Sequence, residues 1–153
     1  LMPHAKAILA KLLQDGYLLF LFTNQSGVGR GYFSLEDVRR CNSRMIELLE
    51  LADRGFTDIC IAPEAPDMPV VYRKPSPRFI LEMIERHELD PSMTWMVGDS
   101  PNDVQAGHNA GVRSVLLTAD GSPEKSPRTW VCRDLGEFYQ RLQRFDRLGE
   151  ERV

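Results

Sequence analysis

Two acidic residues near position 100 have the spacing and side-chain type of a metal site. Asp99 follows an apolar run at 94–98 that predicts a buried strand, and Asp103 falls in the first turn of a helix predicted over 101–110. A carboxylate at the carboxyl end of a parallel strand lies beside the crevice in which open α/β sheets bind ligands. Because Mg²⁺ prefers oxygen ligands, we predict that Asp99 and Asp103 form a Mg²⁺ site.

Two further polar segments carry groups that can hold a phosphate. Residues 23–27 read Thr-Asn-Gln-Ser-Gly and follow an apolar run, and residues 73–75 read Arg-Lys-Pro. Together with 98–103, they supply hydroxyl and backbone N–H donors, two cations and two carboxylates. This set of groups can hold a phosphate against a divalent metal. We therefore predict that the three segments lie at one edge of a sheet and form a phosphoryl site.

Each segment taken alone also has a simpler interpretation. A Thr-Asn pair after a strand is often a turn or a helix cap. The glycines at 27, 29 and 31 match neither common phosphate-loop spacing, and a hinge explains them equally well. Arg73 and Lys74 could be solvated charges, and Asp103 could serve only to complement a helix dipole. The prediction depends on the three segments occurring together.

The elements that would position these segments alternate along the chain. Apolar periodicity, capping residues and proline positions predict helices over about 3–14, 35–53 and 101–110, another helix opened by Ser76-Pro77, and a last helix after Asp134. Apolar runs predict strands over 17–22, 58–62, 94–98, 113–118 and 130–132. Polar loops are predicted at 23–31 and 119–128. Alternating strands and helices indicate an α/β domain with a mostly parallel sheet.

Length and charge exclude several classes of protein. The chain has 153 residues and a formal net charge of −3, so its charge does not suggest binding to nucleic acid or to an anionic membrane. No apolar run approaches a membrane span, and the first residues lack a signal-peptide pattern. We expect a single-domain cytoplasmic protein with a small-molecule partner, and no feature predicts its oligomeric state.

The cysteines and histidines show no spacing typical of a zinc site or a disulfide framework. We expect three buried free thiols at Cys41, Cys60 and Cys132. We expect structural or solvent-facing histidines at His4, His87 and His108.

The chain resembles the haloacid dehalogenase (HAD) superfamily of phosphatases, in the branch of the heptose-bisphosphate and histidinol-phosphate phosphatases. The resemblance extends over about 3–145. Residues 22–31 are similar to the branch's second motif, 73–75 to its third, and Gly98-Asp99 with Asp103 to its fourth. The resemblance implies a Rossmann-like HAD fold, with a mostly parallel sheet flanked by helices and no separate cap domain, over 1–153.

The resemblance also implies roles for the matching residues. Thr23 and Asn24 would hold the transferring phosphoryl group, and Lys74 would neutralise its charge. Asp99 would bind Mg²⁺. We predict substrate contacts from Gln25, Ser26, Arg73 and Ser100.

One family motif is not found in the 153 residues. The first motif, Asp-x-Asp-Gly at the tip of a central strand, carries the nucleophile and the acid/base. The sequence around Asp146 is only superficially similar to this motif. Leu148 takes the place of the second carboxylate, and the pattern at 140–144 predicts a helix surface and not a buried strand. Without the central strand, two strand edges would expose unpaired N–H and C=O groups. We expect that an N-terminal segment with this strand has been omitted or cut off, and that this chain alone does not hydrolyse phosphate esters.

Heptose-bisphosphate phosphatases of this branch commonly carry a zinc loop between the second and third motifs. Here the ligand positions hold Ala62, Glu64, Val70 and Tyr72, and Cys60 is two residues out of register. These residues cannot form a tetrahedral site of nitrogen and sulfur ligands. We therefore expect no structural zinc, and a loop at 64–72 that is stiffened by prolines and closes over substrate.

The favoured interpretation is a Mg²⁺-dependent phosphomonoester hydrolase. Its substrate would be a small phosphorylated metabolite, in particular a sugar bisphosphate such as heptose 1,7-bisphosphate, and its intermediate an aspartyl-phosphate. Two alternatives stay open. The 3′-phosphatase domain of polynucleotide kinase-phosphatases has similar residues at 23–31 and 72–75, but the net charge counts against a nucleic-acid partner. The second alternative is a non-catalytic phosphosugar-binding protein that lacks the nucleophile.

Overall fold

The structure, a computed structural model, describes residues 2, 4–51, 55–119 and 128–148. In this part of the chain the helices are α1 (Ala5–Gln14), α2 (Ser26–Gly29), α3 (Leu35–Leu49), α4 (Arg78–His87), α5 (Pro101–Asn109) and α6 (Leu135–Leu148). The strands are β1 (Phe20–Asn24), β2 (Asp58–Ala62), β3 (Trp95–Gly98), β4 (Arg113–Leu117) and β5 (Thr129–Cys132). The predicted helix start at Pro3, the helix end at 52–53 and most of the loop predicted at 119–128 lie outside the described residues.

The chain divides into two compact units, one from Leu1 to Phe79 and the other from Ile80 to Val153. In the first unit, β1 and β2 form a parallel pair. In the second unit, β4 lies between β3 and β5, and all three strands are parallel. The predicted α/β class with parallel strands is confirmed. The assignment of 1–153 to a single domain stays a prediction.

Helices cover the sheet of the second unit. Helix α5 packs against β3 and β4, and α6 packs against β5. This unit contains an aromatic cluster, with the Trp95 and Trp130 ring centroids 4.3 Å apart and Phe145 edge-on to both rings. Across the described parts of both units, no helix is both long enough and apolar enough to cross a membrane.

Helix α3 begins at a capping box formed by Ser34 and Asp37. The Asp37 N–H donates to Ser34 Oγ at 3.1 Å, and the Ser34 N–H donates to the Asp37 carboxylate at 2.8 Å. These bonds satisfy N–H groups that the first turn of a helix leaves unpaired. The hydrogen bonds with Ser34 are also the main cause that lowers the pKa of Asp37.

The prediction that Cys41 is buried is wrong, whereas Cys60 and Cys132 are buried as expected. Helix α3 buries Val38 and Leu49, which are eleven residues apart and therefore nearly in line on its surface. At 3.6 residues per turn, Cys41 lies about 60° around the helix from that line. The buried face of α3 does not extend to this position, and Cys41 is exposed.

The boundaries of β1 also differ from the prediction. The apolar run predicts a strand over 17–22, but pairing with β2 begins at Phe20 and continues through Asn24. Pairing with β2 continues up to Ala62 and keeps two polar residues in β1. Apolar character alone therefore places the end of β1 too early. The predicted loop at 23–31 contains the one-turn helix α2.

Candidate functional site

Thr23 and Asn24 occupy the last two positions of β1. The pairing places them opposite Ile61 and Ala62, and the Gln25 N–H extends it by donating to the Ala62 carbonyl at 2.7 Å. The backbone is therefore fixed up to the carboxyl end of the strand. This is the edge at which parallel α/β sheets bind ligands.

The Asn24 side chain is bonded to the backbone of Lys74, fifty positions along the chain. Its Oδ1 accepts from the Lys74 N–H at 2.9 Å, and its Nδ2 donates to the Lys74 carbonyl at 3.2 Å. An amide that uses both its acceptor and its donor in this way is held in one orientation. Two of the predicted segments, 23–27 and 73–75, are thus joined within the first unit.

The Lys74 side chain is buried, with 8% of its surface exposed. Its Nζ donates to the Phe22 carbonyl at 2.9 Å and lies 4.9 Å from the centre of the Phe22 ring. A lysine ammonium is rarely buried without partners, because removing it from water is costly. The alternative interpretation of Lys74 as a solvated charge is excluded. Its positive charge lies beside the end of β1.

Glu64 is a buried carboxylate that sequence reasoning did not select as functional. Its Oε1 accepts the backbone N–H groups of Val71, Tyr72 and Arg73 at 2.9, 2.6 and 3.3 Å. Burial acts to raise its pKa, but these N–H donors outweigh burial and lower the pKa below its ordinary value. The residue lies in a proline-rich stretch without periodicity, so no pattern in the sequence marks it. The feature that could have indicated a functional role for Glu64 is its position two residues after β2.

Arg73 and Gln25 are two further predicted site residues of the first unit. Arg73 is half-buried, and its Nε has no hydrogen-bond partner among the described residues. Gln25 Nε2 donates to Thr23 Oγ1 at 3.0 Å, and Ser26 begins α2. The site therefore brings Thr23, Asn24, Gln25, Arg73 and Lys74 together, with Ser26 next in the chain.

Gly29 allows α2 to lie directly against the loop that follows β2. Its N–H donates to the Pro63 carbonyl at 2.9 Å. A Cβ at this position would lie 2.7 Å from both the Pro63 oxygen and the Ala65 nitrogen, which is closer than such atoms approach. Close backbone packing therefore requires glycine here. This packing brings the loops after β1 and β2 side by side.

The acidic pair predicted to bind metal lies in the second unit. Asp99 follows β3 and is exposed, whereas Asp103 is buried in the first turn of α5. The Asp103 carboxylate accepts the Ser100 N–H at 3.0 Å, and Ser100 Oγ accepts the Asn102 N–H at 3.2 Å. Asp103 therefore caps α5, as one sequence interpretation allowed. Gly98 leaves room for it, because a Cβ there would overlap the Asp103 side chain.

The nine predicted site residues thus form two groups, one in each unit. The group in the first unit contains Thr23, Asn24, Gln25, Ser26, Arg73 and Lys74. The group in the second unit contains Asp99, Ser100 and Asp103. Their assignment to binding and catalysis stays a prediction, as does joint action of the two groups on one ligand.

Comparison with known protein families places the chain among phosphate-ester hydrolases. The HAD-hydrolase-like family model matches residues 71–138. This range begins just before Arg73 and Lys74 and includes Asp99 and Asp103. It therefore covers the third and fourth of the motifs on which the sequence resemblance rests.

Two named relatives are similar to most of the chain. The D-glycero-beta-D-manno-heptose-1,7-bisphosphate 7-phosphatase of Helicobacter pylori is 36% identical over 141 residues, which cover 90% of this chain and 76% of the relative. The enzyme of the same name from Pasteurella multocida is 37% identical over 123 residues, covering 75% and 66% of the two chains.

A crystal structure shows the same similarity in three dimensions. The D,D-heptose 1.7-bisphosphate phosphatase of B. bronchiseptica, crystallised with magnesium and phosphate, superposes with a TM-score of 0.81 at 28% identity. The match covers 94% of this chain and 83% of the other.

Proposed function

Because the chain belongs to the HAD family of phosphatases, which hydrolyse phosphoric monoesters, we propose that its substrate is a small phosphorylated sugar. A sugar bisphosphate such as heptose 1,7-bisphosphate is the specific candidate, since the H. pylori, P. multocida and B. bronchiseptica proteins carry that substrate in their names. We further propose that the reaction takes place in the cytoplasm.

The observation that carries the proposal is the buried ammonium of Lys74 at the end of β1. Its side chain is fixed by the Phe22 carbonyl and its backbone by Asn24. A positive charge held in place before substrate arrives stabilises the negative charge of a phosphoryl group without reorganisation during the reaction. In the proposed role, Lys74 neutralises phosphoryl oxygens, while Thr23 and Asn24 hold the same group through hydroxyl, amide and backbone donors.

Magnesium fits the donor set of the second unit. Mg²⁺ is commonly bound by one or two carboxylates together with water and substrate phosphate. The exposed carboxylate of Asp99 suits that role, and Asp103 would be the second carboxylate. When bound, the ion offsets charge on phosphoryl oxygens. The magnesium and phosphate in the B. bronchiseptica crystals support this part of the proposal.

The proposed reaction needs a carboxylate nucleophile. An aspartate attacks phosphorus, the alcohol leaves, and water then cleaves the aspartyl-phosphate to release inorganic phosphate. The family's Asp-x-Asp-Gly motif is not among the 153 residues. We therefore expect the 153-residue chain by itself to bind phosphate without releasing it from esters.

A fusion protein tests this proposal. The family's first strand with its Asp-x-Asp-Gly motif is placed before Leu1, and phosphate release is measured from heptose 1,7-bisphosphate, simpler sugar phosphates and a DNA 3′-phosphate end. We expect the sugar bisphosphate to be the best substrate. Lys74→Met and Asp99→Asn should each reduce kcat about a hundredfold or more, and Glu85→Gln, an exposed acidic control on α4, should not.

Two results would contradict the proposal. A folded fusion that releases no phosphate from any sugar phosphate would exclude the proposed substrate class. Preferred hydrolysis of the DNA end, with strong salt dependence, would favour the polynucleotide 3′-phosphatase alternative.

A further inference from the structure

The buried carboxylate of Glu64 belongs to none of the motifs on which the family resemblance rests. Only 6% of its surface is exposed, and one of its oxygens accepts three consecutive backbone N–H groups, from 71 to 73. We propose that Glu64 is a positioning residue, which holds this segment so that Lys74 is fixed at the phosphate site. The inference rests on the proposed function for its consequence, but its geometry can be tested separately.

The segment before Pro75 has two anchors, one at the end of β1 and one just beyond the end of β2. Glu64 lies two residues after β2 and binds the N–H groups of 71–73, while Asn24 at the end of β1 binds both backbone groups of Lys74. Because β1 and β2 are paired in register at Asn24 and Ala62, both anchors are fixed to the same parallel ladder. The Lys74 backbone is thereby placed relative to the Phe22 carbonyl that its ammonium contacts.

Apolar packing contributes little to holding the loop between Glu64 and Lys74. Residues 66–71 are all exposed, including Met68, Val70 and Val71, so the loop buries little apolar surface of its own. Its other contacts include a 3.2 Å bond from Ser76 Oγ to the Val71 carbonyl. Hydrogen bonds to a charged acceptor are about twice as strong as neutral ones. The Glu64 carboxylate is therefore the strongest polar anchor of the loop.

Replacement of Glu64 should release Lys74 without unfolding the sheet. In Glu64→Met the side chain keeps its size but loses the acceptor. Amide hydrogen exchange of the 153-residue chain, resolved by NMR, should accelerate about tenfold to a hundredfold at 71–73. The Lys74 amide, whose acceptor is Asn24 and not Glu64, should accelerate as well, while the β1 and β2 amides keep their protection.

Glu64→Gln and Asp67→Asn are the matched variants. Glutamine keeps an acceptor oxygen, so it should restore much of the protection at 71–74. Asp67→Asn removes the same charge from an exposed position in the same loop and should leave exchange unchanged. If Glu64→Met does not fold, Glu64→Gln still tests the proposal. The proposal requires that the amides of 71–74 lose part of their protection in Glu64→Gln and that amides elsewhere keep theirs.

The proposal is overturned if the Lys74 amide keeps its protection in folded Glu64→Met, or if Glu64→Gln is as damaging as Glu64→Met. A uniform loss of protection over the whole first unit would also overturn it, since that indicates a general structural role. Titration with inorganic phosphate adds a separate result: Glu64→Met should weaken binding, and Glu64→Gln should restore it. Failure of the unsubstituted chain to bind phosphate would count against the proposed function, whereas the exchange data would still decide the role of Glu64.

Discussion

The contact between Asn24 and Lys74 provides a quantitative test of how the first unit is held together. In Asn24→Ala both side-chain hydrogen bonds to Lys74 are lost, one of 2.9 Å and one of 3.2 Å. The N–H and carbonyl groups of Lys74 then lose these partners in a buried residue. The substitution therefore perturbs the junction of two predicted site segments without altering the charge of the chain.

The magnitude follows from these two bonds. Each hydrogen bond contributes about 1 kcal/mol net, and a buried group left without a partner costs about 1–3 kcal/mol. We expect Asn24→Ala to lower the free energy of unfolding by about 2–4 kcal/mol. The control Gln25→Ala removes one bond of 3.0 Å between half-buried side chains, so we expect a loss of about 1 kcal/mol or less.

The measurement is urea unfolding of the 153-residue chain followed by far-UV circular dichroism. Both tryptophans, Trp95 and Trp130, lie in the second unit, so their fluorescence reports that unit and not the site of the substitution. Equal stability of Asn24→Ala and Gln25→Ala would refute the reasoning, because it would mean that the bonds to Lys74 do not hold the first unit together.

Three further predictions concern other residues. Gly98→Ala places a methyl group against the Asp103 carboxylate. It should therefore lower the unfolding free energy of the second unit, read by tryptophan fluorescence, by about 1–3 kcal/mol. Ser34→Ala removes the side-chain cap of α3 and should cost about 1 kcal/mol in urea unfolding, whereas Ser43→Ala on the exposed side of the helix should change stability by less than about 0.5 kcal/mol. The pKa of Glu64 is lowered in the folded protein, so its stabilising effect is present above its ordinary value of 4.5 and is lost as pH falls through the lower folded-state value. The advantage of the parent over Glu64→Gln in unfolding free energy should therefore shrink as the pH is lowered below 4.5.

The elements that the sequence predicted well have local causes. Strand β2 has the predicted bounds, because Asp58 and Pro63 limit a short apolar run. The start of α3 follows from Ser34 and Asp37, three residues apart, whose capping bonds form within a single turn. In both cases neighbouring residues determine the structure.

The parts that sequence reasoning missed depend on contacts between distant segments. The strand β1 extends to Asn24 because β2 continues to pair with it, whereas the apolar run ends before the polar residues Thr23 and Asn24. Lys74 is buried through contacts with residues about fifty positions earlier. Glu64 acts through backbone groups seven to nine residues ahead, a spacing that belongs to no regular element.

We propose that Lys74 and Asp99 act on one phosphoryl group, and linkage between Mg²⁺ and phosphate binding tests this proposal most directly. Inorganic phosphate is titrated into the 153-residue chain, with and without Mg²⁺, and binding is followed by NMR. We predict that Mg²⁺ tightens phosphate binding about fivefold or more, that Asp99→Asn removes this effect, and that Lys74→Met weakens binding under both conditions. The same phosphate affinity with and without Mg²⁺ would contradict the claim.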